Sequence, residues 1–502
     1  MPRVIERAGT GFTAAWILEA GGGVLRSGGA GEATGVSADS RSIAPGELFV
    51  ALAGPREEPV RIVGDGHRHL GDAFRRGAWG ALIDERSLLD AAVARELAAW
   101  PGRAVIAVPD TLDALGALAA AHRRRSGARV VGITGSNGKT TTRAMATAIA
   151  AARWRVLATA GNLNNLIGLP LTLLALRPEH EVAVVELGMS RAGEIRRLAA
   201  IAAPDVAVVT NVGPVHLEGV GSLAGVAAAK GEILEELART GTAVLNAEDP
   251  ATPALIVRWG GELLRFGRVP AAQVRAEGIE TVGAGTVFTL LLPDGTRGRV
   301  EIAWLGDHNV LNALAAAAAA HALGAGLEQI RAGLAAARPA AMRFEIRRFD
   351  PGVTVVNDAY NANPASMRAA LAALGLLPAA GRRALVLGDM LELGASSAAE
   401  HRQLGAAAAA TAPALLVAVG AFAGETASGA RAAGLGPAAI VTAADAEGAA
   451  ATLRAWLRPG DLLLLKGSRG VRLERVLERL LADGVIRELA AGTAAAAAER
   501  AD

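Results

Sequence analysis

Five short apolar runs, ARVVGITG, RVLATA, EVAVVELG, DVAVVTNVG and TAVLNAED, follow one another between residues 128 and 249, and helix-patterned stretches separate them. Strands of this kind alternating with helices argue for a mostly parallel sheet covered on both faces, because parallel neighbours need a crossover connection. A second series, VTVVNDAY, ALVLGDM, ALLVAVG, AAIVTA and DLLLLKGS, follows from residue 337 and predicts a second α/β unit. The stretch to residue 106 has a different texture, with short strands and glycine-rich turns such as DSRSIAPGELFVALAG. The fold class expected is α/β in three domains: a small α/β N-terminal domain at 1–106, a central domain at 107–336 and a Rossmann-like C-terminal domain at 337–491. A low-complexity tail, GTAAAAAERAD, is expected at 492–502.

In open α/β sheets ligands sit beyond the carboxyl ends of the strands, so the polar residues ending these runs are the ones to weigh. GITGSNGKTT, Gly132 to Thr141, ends the first run. It departs from the standard phosphate-loop pattern G-x-x-x-x-G-K-[ST], because Ile133 stands where the first glycine belongs. It still has the physical parts of a phosphate site: a strand ending at Thr134, a glycine turn, and a helix opening at KTTT. Amides of Gly135, Ser136, Asn137, Gly138 and the helix start would face phosphate oxygens, with the helix dipole favouring the anion. Lys139 would reach the outer phosphates, and Thr140, followed by Thr141, would offer a hydroxyl to Mg²⁺. The central domain is therefore expected to be a P-loop ATPase-like sheet using ATP and Mg²⁺. Glu186, directly after the strand VAVV, is placed to hold the metal opposite the loop threonine; Mg²⁺ takes one or two carboxylates and keeps its waters. His216, after the next strand and beside Thr210 and Asn211, is a further candidate. A guanine-type switch is disfavoured, since no N-K-x-D stretch occurs.

Composition narrows the class. Of 502 residues, 52% are hydrophobic but only 3% aromatic, and glycines interrupt the longest apolar stretches. These fall short of the ~20 residues that span a bilayer, so no integral membrane segment is expected. Glu6 and Glu19 break the N-terminal stretch, which reads as no signal peptide. The absence of cysteine excludes disulfides, thiolate metal sites and cysteine nucleophiles, and fits a cytoplasmic enzyme. With a net charge of +2 and no basic tract interleaved with aromatics, nucleic acid is not an expected partner.

The register of TGSNGKTT resembles the ATP loop of the Mur ligase family, T-G-[ST]-N-G-K-[ST], and the resemblance covers nearly the whole chain. DAYNANP resembles the motif D-[SA]-Y-N-A-N-P of the branch that joins D-alanyl-D-alanine to UDP-N-acetylmuramoyl-tripeptide, whereas the D-N-P-R motif of the neighbouring branch is missing. The resemblance implies those two small-molecule substrates, a monomer, and an ATP-dependent amide ligase working through an acyl phosphate. Another Mur-type or folylpolyglutamate-type amide ligase is the alternative.

It also implies individual roles. His216 would help bind a second Mg²⁺, and Lys230 would be carbamylated and support a metal. Asn162, Asn164 and Asn165 would lie close to the phosphates and the reacting carboxylate. Asn309 and Asn312, in GDHNVLN, would pack beside the adenine, Arg343 would approach the terminal phosphate, and Asp358 would bind ribose hydroxyls. Tyr360, Asn361, Asn363, Asp389, Glu392, Lys466, Ser468 and Arg469 are implicated with the peptide substrates. Ser40 and Arg41 are implicated with the UDP part, and His67, Arg68 and His69 lie in a related stretch. The base for the incoming amine stays open between His216, a water beside a loop asparagine, and substrate phosphate.

Overall fold

The computed structural model describes residues 11–56 and 60–489; the expected tail at 492–502 and the first ten residues lie outside the described residues. Three α/β domains follow one another, each built on its own sheet. The first sheet runs Val24–Ser27, Ala104–Val108, Gly80–Asp84, Leu48–Val50 and Val36–Ser37, parallel except for the first pair. Its strand Ala104–Val108 passes through the boundary expected at residue 106. The chain leaves it at Asp110, whose carboxylate accepts from Leu112 N (2.8 Å) and Asp113 N (3.0 Å) and so caps the linking helix Thr111–Arg125.

The central sheet has nine strands in the order Arg297–Ile302, Gly285–Leu291, Val274–Val282, Glu262–Gly267, Thr242–Asn246, Val206–Val209, Arg129–Thr134, Val182–Glu186 and Val156–Ala158. All pairs are parallel except the two joining residues 274–302. Because side chains alternate along a strand, the valine runs feed two cores. Val131, Ile133, Val182, Val184, Val206 and Val208 pack under helices Lys139–Ala151, Asp307–Ala322 and Leu327–Ala336. Val130, Ala183, Val185, Ala207 and Val209 face helices Thr111–Arg125, Gly168–Leu174, Glu194–Ala202 and Leu223–Glu235. A strand buried on both faces must be apolar throughout, which explains continuous runs rather than alternation.

The antiparallel edge at 274–302 was not among the expected elements. Its strands mix buried and exposed residues, Asp294–Gly295 (Gly295 φ 83°) makes the second turn, and no helix separates them.

The C-terminal sheet runs Ile440–Ala443, Leu415–Val419, Arg383–Gly388, Leu462–Lys466, Val353–Asp358, Glu345–Asp350 and Arg487–Glu488, the first five strands parallel. The last two additions pair antiparallel at one edge.

Alanine dominates helix Asp307–Ala322, where residues 313–320 are all buried, and small side chains let it lie close on the sheet. Helix Leu327–Ala336 comes closer still to helix Lys139–Ala151, because a Cβ on Gly333 would lie 2.2 Å from Ile149 Cα. Gly333→Ala should therefore force the helices apart and lower stability by about 1–3 kcal/mol, read as a lower urea midpoint. An unchanged midpoint would mean that this contact gives without cost.

Candidate active site

The loop after Arg129–Thr134 depends on two glycines. Gly135 (φ 146°) and Gly138 (φ 81°) hold conformations that L side chains rarely adopt. Space is equally short: a Cβ on Gly135 would lie 1.9 Å from Thr210 Oγ1, and one on Gly138 2.1 Å from Asn312 Oδ1. The loop is thus pinned between the end of the neighbouring strand and helix Asp307–Ala322.

Not every amide of the loop is left for a ligand. Ser136 N donates to Asn211 O and Asn137 N to Asn211 Oδ1, both at 2.9 Å. The first donor satisfied within the helix is Thr142 N, to Gly138 O at 2.8 Å, and no side chain caps this helix start. The amides of residues 138–141 are therefore the ones a phosphate can take. Lys139 Nζ donates to Gly135 O at 2.6 Å. Burial, with Arg343 adding and Glu186 opposing, lowers its pKa to about 8.

Glu186 ends the adjacent strand and is 1% exposed. Its Oε2 lies 3.4 Å from both Thr140 Oγ1 and Asn164 Nδ2. Arg143 Nε sits 2.8 Å from Oε1, an ion pair rather than a hydrogen bond, since neither atom has an aligned hydrogen-bond partner. Arg143 is a site residue that the sequence reading missed; it stands one turn after Lys139 on the same helix face, the spacing that would have found it. A buried carboxylate whose Oε2 faces a threonine hydroxyl is a hard-oxygen donor set that fits Mg²⁺. Among the described residues no group of three or more His, Asp or Glu forms a cage, so phosphate oxygens and water would complete the shell.

A cavity of about 850 Å³ opens over this loop, lined by all three domains. The central domain contributes residues 136–141, Asn162, Asn164, Asn165, Glu186, His216, Asn309 and Asn312. The C-terminal domain contributes Arg343, Asp358, Tyr360, Asn361, Asn363 and Lys466. Val60 and Arg61 reach in from the first domain, and Arg191, Glu194 and Trp304 also line the wall; the sequence reading named none of these five.

Three polar contacts join the outer lobe to the loop region. Asn363 Nδ2 donates to Asn137 Oδ1 (2.7 Å), Arg343 Nη2 to Thr140 Oγ1 (3.3 Å), and His216 Nδ1 meets Glu392 Oε2 at 2.6 Å. The imidazole lowers the Glu392 carboxyl below its ordinary range despite partial burial. Arg343 also stacks over Tyr360, 4.0 Å from the ring centroid. Asp358 pairs with Lys466 at 2.6 Å, and Lys466 donates in addition to Asn361 O. Asn309 donates to Leu305 O and accepts from Asn312, so this asparagine pair fixes the helix start beside the loop.

Other expected residues lie elsewhere. Lys230 is 2% exposed in helix Leu223–Glu235, and burial, aided by Lys139, pulls its amine well below the ordinary lysine range. Asp389 accepts from Ala421 N (2.7 Å) and Phe422 N (3.0 Å), and Ser468 Oγ accepts from Leu391 N, so both brace the loop that presents Glu392. Arg469 pairs with Glu474 outside the cavity. Ser40 is buried, and Arg41 is exposed and paired with Asp39, away from the cavity. His67 uses both ring nitrogens internally, on Asp65 and Asp84 N, while Arg68 and His69 are exposed.

Comparison with known proteins agrees with this architecture. Family models for the Mur ligase middle domain and the Mur ligase glutamate ligase domain match residues 133–320 and 342–469. The UDP-N-acetylmuramoyl-tripeptide–D-alanyl-D-alanine ligase of Bacillus subtilis (strain 168) is 36% identical, over 89% of this chain and 93% of its own length. A crystal structure of MurF from Acinetobacter baumannii superposes with a TM-score of 0.83 at 32% identity, covering 94% of this chain and 99% of that one. MurF ligase from Thermotoga maritima, solved in complex with ADP, gives 0.74 at 28% identity over 89% of this chain and 96% of that one. The chain belongs to the Mur ligase family.

Proposed function

We propose that this protein uses ATP to join the free carboxylate of UDP-N-acetylmuramoyl-tripeptide to the amine of D-alanyl-D-alanine. The observation that carries the reading is one cavity in which the helix-start amides, Lys139 and Glu186 face the DAYNANP residues Tyr360, Asn361 and Asn363. A peptide carboxylate oxygen attacks the γ-phosphorus, the bond to the β-phosphate oxygen breaks, and an acyl phosphate and ADP form. The dipeptide amine then attacks the acyl carbon, the C–O bond to phosphate breaks, and the amine proton leaves with the phosphate or through water.

Bringing a carboxylate to a triphosphate is opposed by charge, so fixed cations must offset it. Lys139 and Arg343 supply two of these, and the amides of 138–141 hold the phosphates in line. Mg²⁺, held by Glu186 and Thr140 and assisted by His216, would supply further neutralisation of the phosphate oxygens. Lys230 is the candidate for carbamylation: burial disfavours its charged form, and the neutral amine is the form that adds CO₂, releasing a proton and leaving an anion. Ser40 and Arg41 are assigned to the UDP part on the resemblance alone. Asn363 and Arg343, reaching the loop from the third lobe, close the cavity against water that would hydrolyse the acyl phosphate. One chain supplies all three lobes, so a monomer suffices. No helix among the described residues is long and apolar enough to cross a membrane, and we assign the reaction to the cytoplasm.

Phosphate release should require UDP-N-acetylmuramoyl-tripeptide, ATP and D-alanyl-D-alanine together. Release with a free diamino acid and a dipeptide precursor, but none with D-alanyl-D-alanine, would favour a neighbouring ligase. Lys139→Ala should cut kcat by roughly 100-fold or more with an unchanged circular dichroism spectrum. Substantial residual ligation would remove this lysine from the reaction.

The lowered pKa of Lys139 gives a second test. Phosphates favour its charged form, so nucleotide binding near pH 8.5 should take up a proton, and affinity should fall as pH rises through about 8. Calorimetry in two buffers of different ionisation enthalpy reads the uptake, which Lys139→Ala should abolish.

A further inference from the structure

Glu186 is the carboxylate assigned to the metal, yet a guanidinium already occupies it. Arg143, whose side chain is only 12% exposed, places Nε 2.8 Å from Oε1. Lys139 and Arg343 both interact with the same carboxylate through space, and Arg143 and Arg343 repel each other. Three cations thus gather around one buried acid. Asp358 also attracts Arg343, and no group of three or more acidic or histidine side chains occurs among the described residues. Asp358, the next carboxylate of the cavity, is itself taken by Lys466.

We infer that Arg143 is a positioning residue that keeps Glu186 closed to free divalent cations, so that the metal enters only together with the nucleotide's polyphosphate. A divalent cation arriving alone would add two charges beside three fixed ones, next to a buried pair where the repulsion is screened less than in water. A triphosphate reverses the balance. Its charges engage Lys139, Arg343 and the amides of residues 138–141, and leave Glu186 as a net attractive ligand. Arg143 has no role on the phosphates in this account; it acts through Glu186, holding Oε1 so that Oε2 alone points to Thr140 and Asn164. The cost of admitting the metal only with the nucleotide is weak metal affinity in the nucleotide-free enzyme. The gain is a carboxylate with one orientation when the nucleotide arrives.

The inference rests on the assignment of Glu186 to the metal, and the test separates the two. Mn²⁺ binding to the full-length protein is followed by electron paramagnetic resonance, with and without a non-hydrolysable ATP analogue. The nucleotide-free parent should bind Mn²⁺ only weakly, and Arg143→Met should bind it roughly tenfold or more tightly, because a neighbouring positive charge is gone. Arg143→Lys, which keeps the charge, should stay near the parent. With the analogue present, parent and Arg143→Met should differ by only about threefold, the phosphates having already offset the charge.

Tight Mn²⁺ binding to the nucleotide-free parent would overturn the inference. So would an unchanged constant in Arg143→Met, or tightening in Arg143→Lys equal to that in Arg143→Met. Arg143→Gln serves as a second neutral variant should the methionine variant fail to fold, with the same outcomes required. In Glu186→Gln, Mn²⁺ binding to the analogue-loaded protein should collapse. If it does not, the metal assignment itself is wrong, whatever Arg143 does.

Discussion

The approach of two glycines to Thr210 and Asn312 sets the geometry from which the rest of the site is measured. With Gly135 packed on Thr210 and Gly138 on Asn312, any side chain at either position would push the loop off the sheet edge. Strand order does the remainder. Arg129–Thr134 lies between Val182–Glu186 and Val206–Val209, so Glu186 and the Thr210–Asn211 pair flank the loop from opposite sides. The site is a property of three adjacent parallel strands ending together, and the same hydrogen bonds that seat Ser136 and Asn137 on Asn211 leave the amides of 138–141 to the ligand.

Closure over that loop rests on few interactions. Asn363 to Asn137, Arg343 to Thr140 and His216 to Glu392 are polar contacts of a kind that water can replace. Exposed ion pairs are worth only about 0–1 kcal/mol, and Glu392 is largely exposed. A bound nucleotide bridging Lys139 and Arg343 would add to these contacts and favour the closed arrangement. The loop at 389–394 is itself firmly built, with Asp389 on two backbone amides and His401 stacked on Phe422 at 4.7 Å. A rigid arm making a weak contact suits a lobe that must both fit and release.

Much of this was legible in the sequence because parallel-sheet chemistry is local. The strand ends that carry Lys139, Glu186 and Asp358 each follow an unbroken apolar run, and such runs identify both the element and its functional end. The antiparallel edge at 274–302 escaped notice because its strands mix buried and exposed residues and no helix separates them. Arg143 escaped because its partner is distant in sequence: an arginine inside a helix reads as a solvated charge until a neighbouring strand brings Glu186 against it. The motif GDMLELG is legible as a strand end, but its chain of contacts is tertiary. Asp389 turns inward to brace a turn, while Glu392, three residues on, reaches the central domain. Sequence spacing cannot distinguish a carboxylate that touches a substrate from one that holds the residue that does.

The charges around the loop explain why the lysine and the metal carboxylate cannot be understood separately. Lys139 is buried and would lose its proton readily were Glu186 not opposing that tendency. Glu186, equally buried, would be costly as an anion without cations beside it. Glu186 favours the charged form of Lys139, and Arg143 and Arg343 complete the set of cations around this acid. Lys230 stands apart from this balance, since it has no opposite charge to offset burial and Lys139 depresses it further. The field that meets an incoming triphosphate therefore comes from Lys139, Arg143 and Arg343 gathered around Glu186, and the triphosphate is the partner that completes their neutralisation.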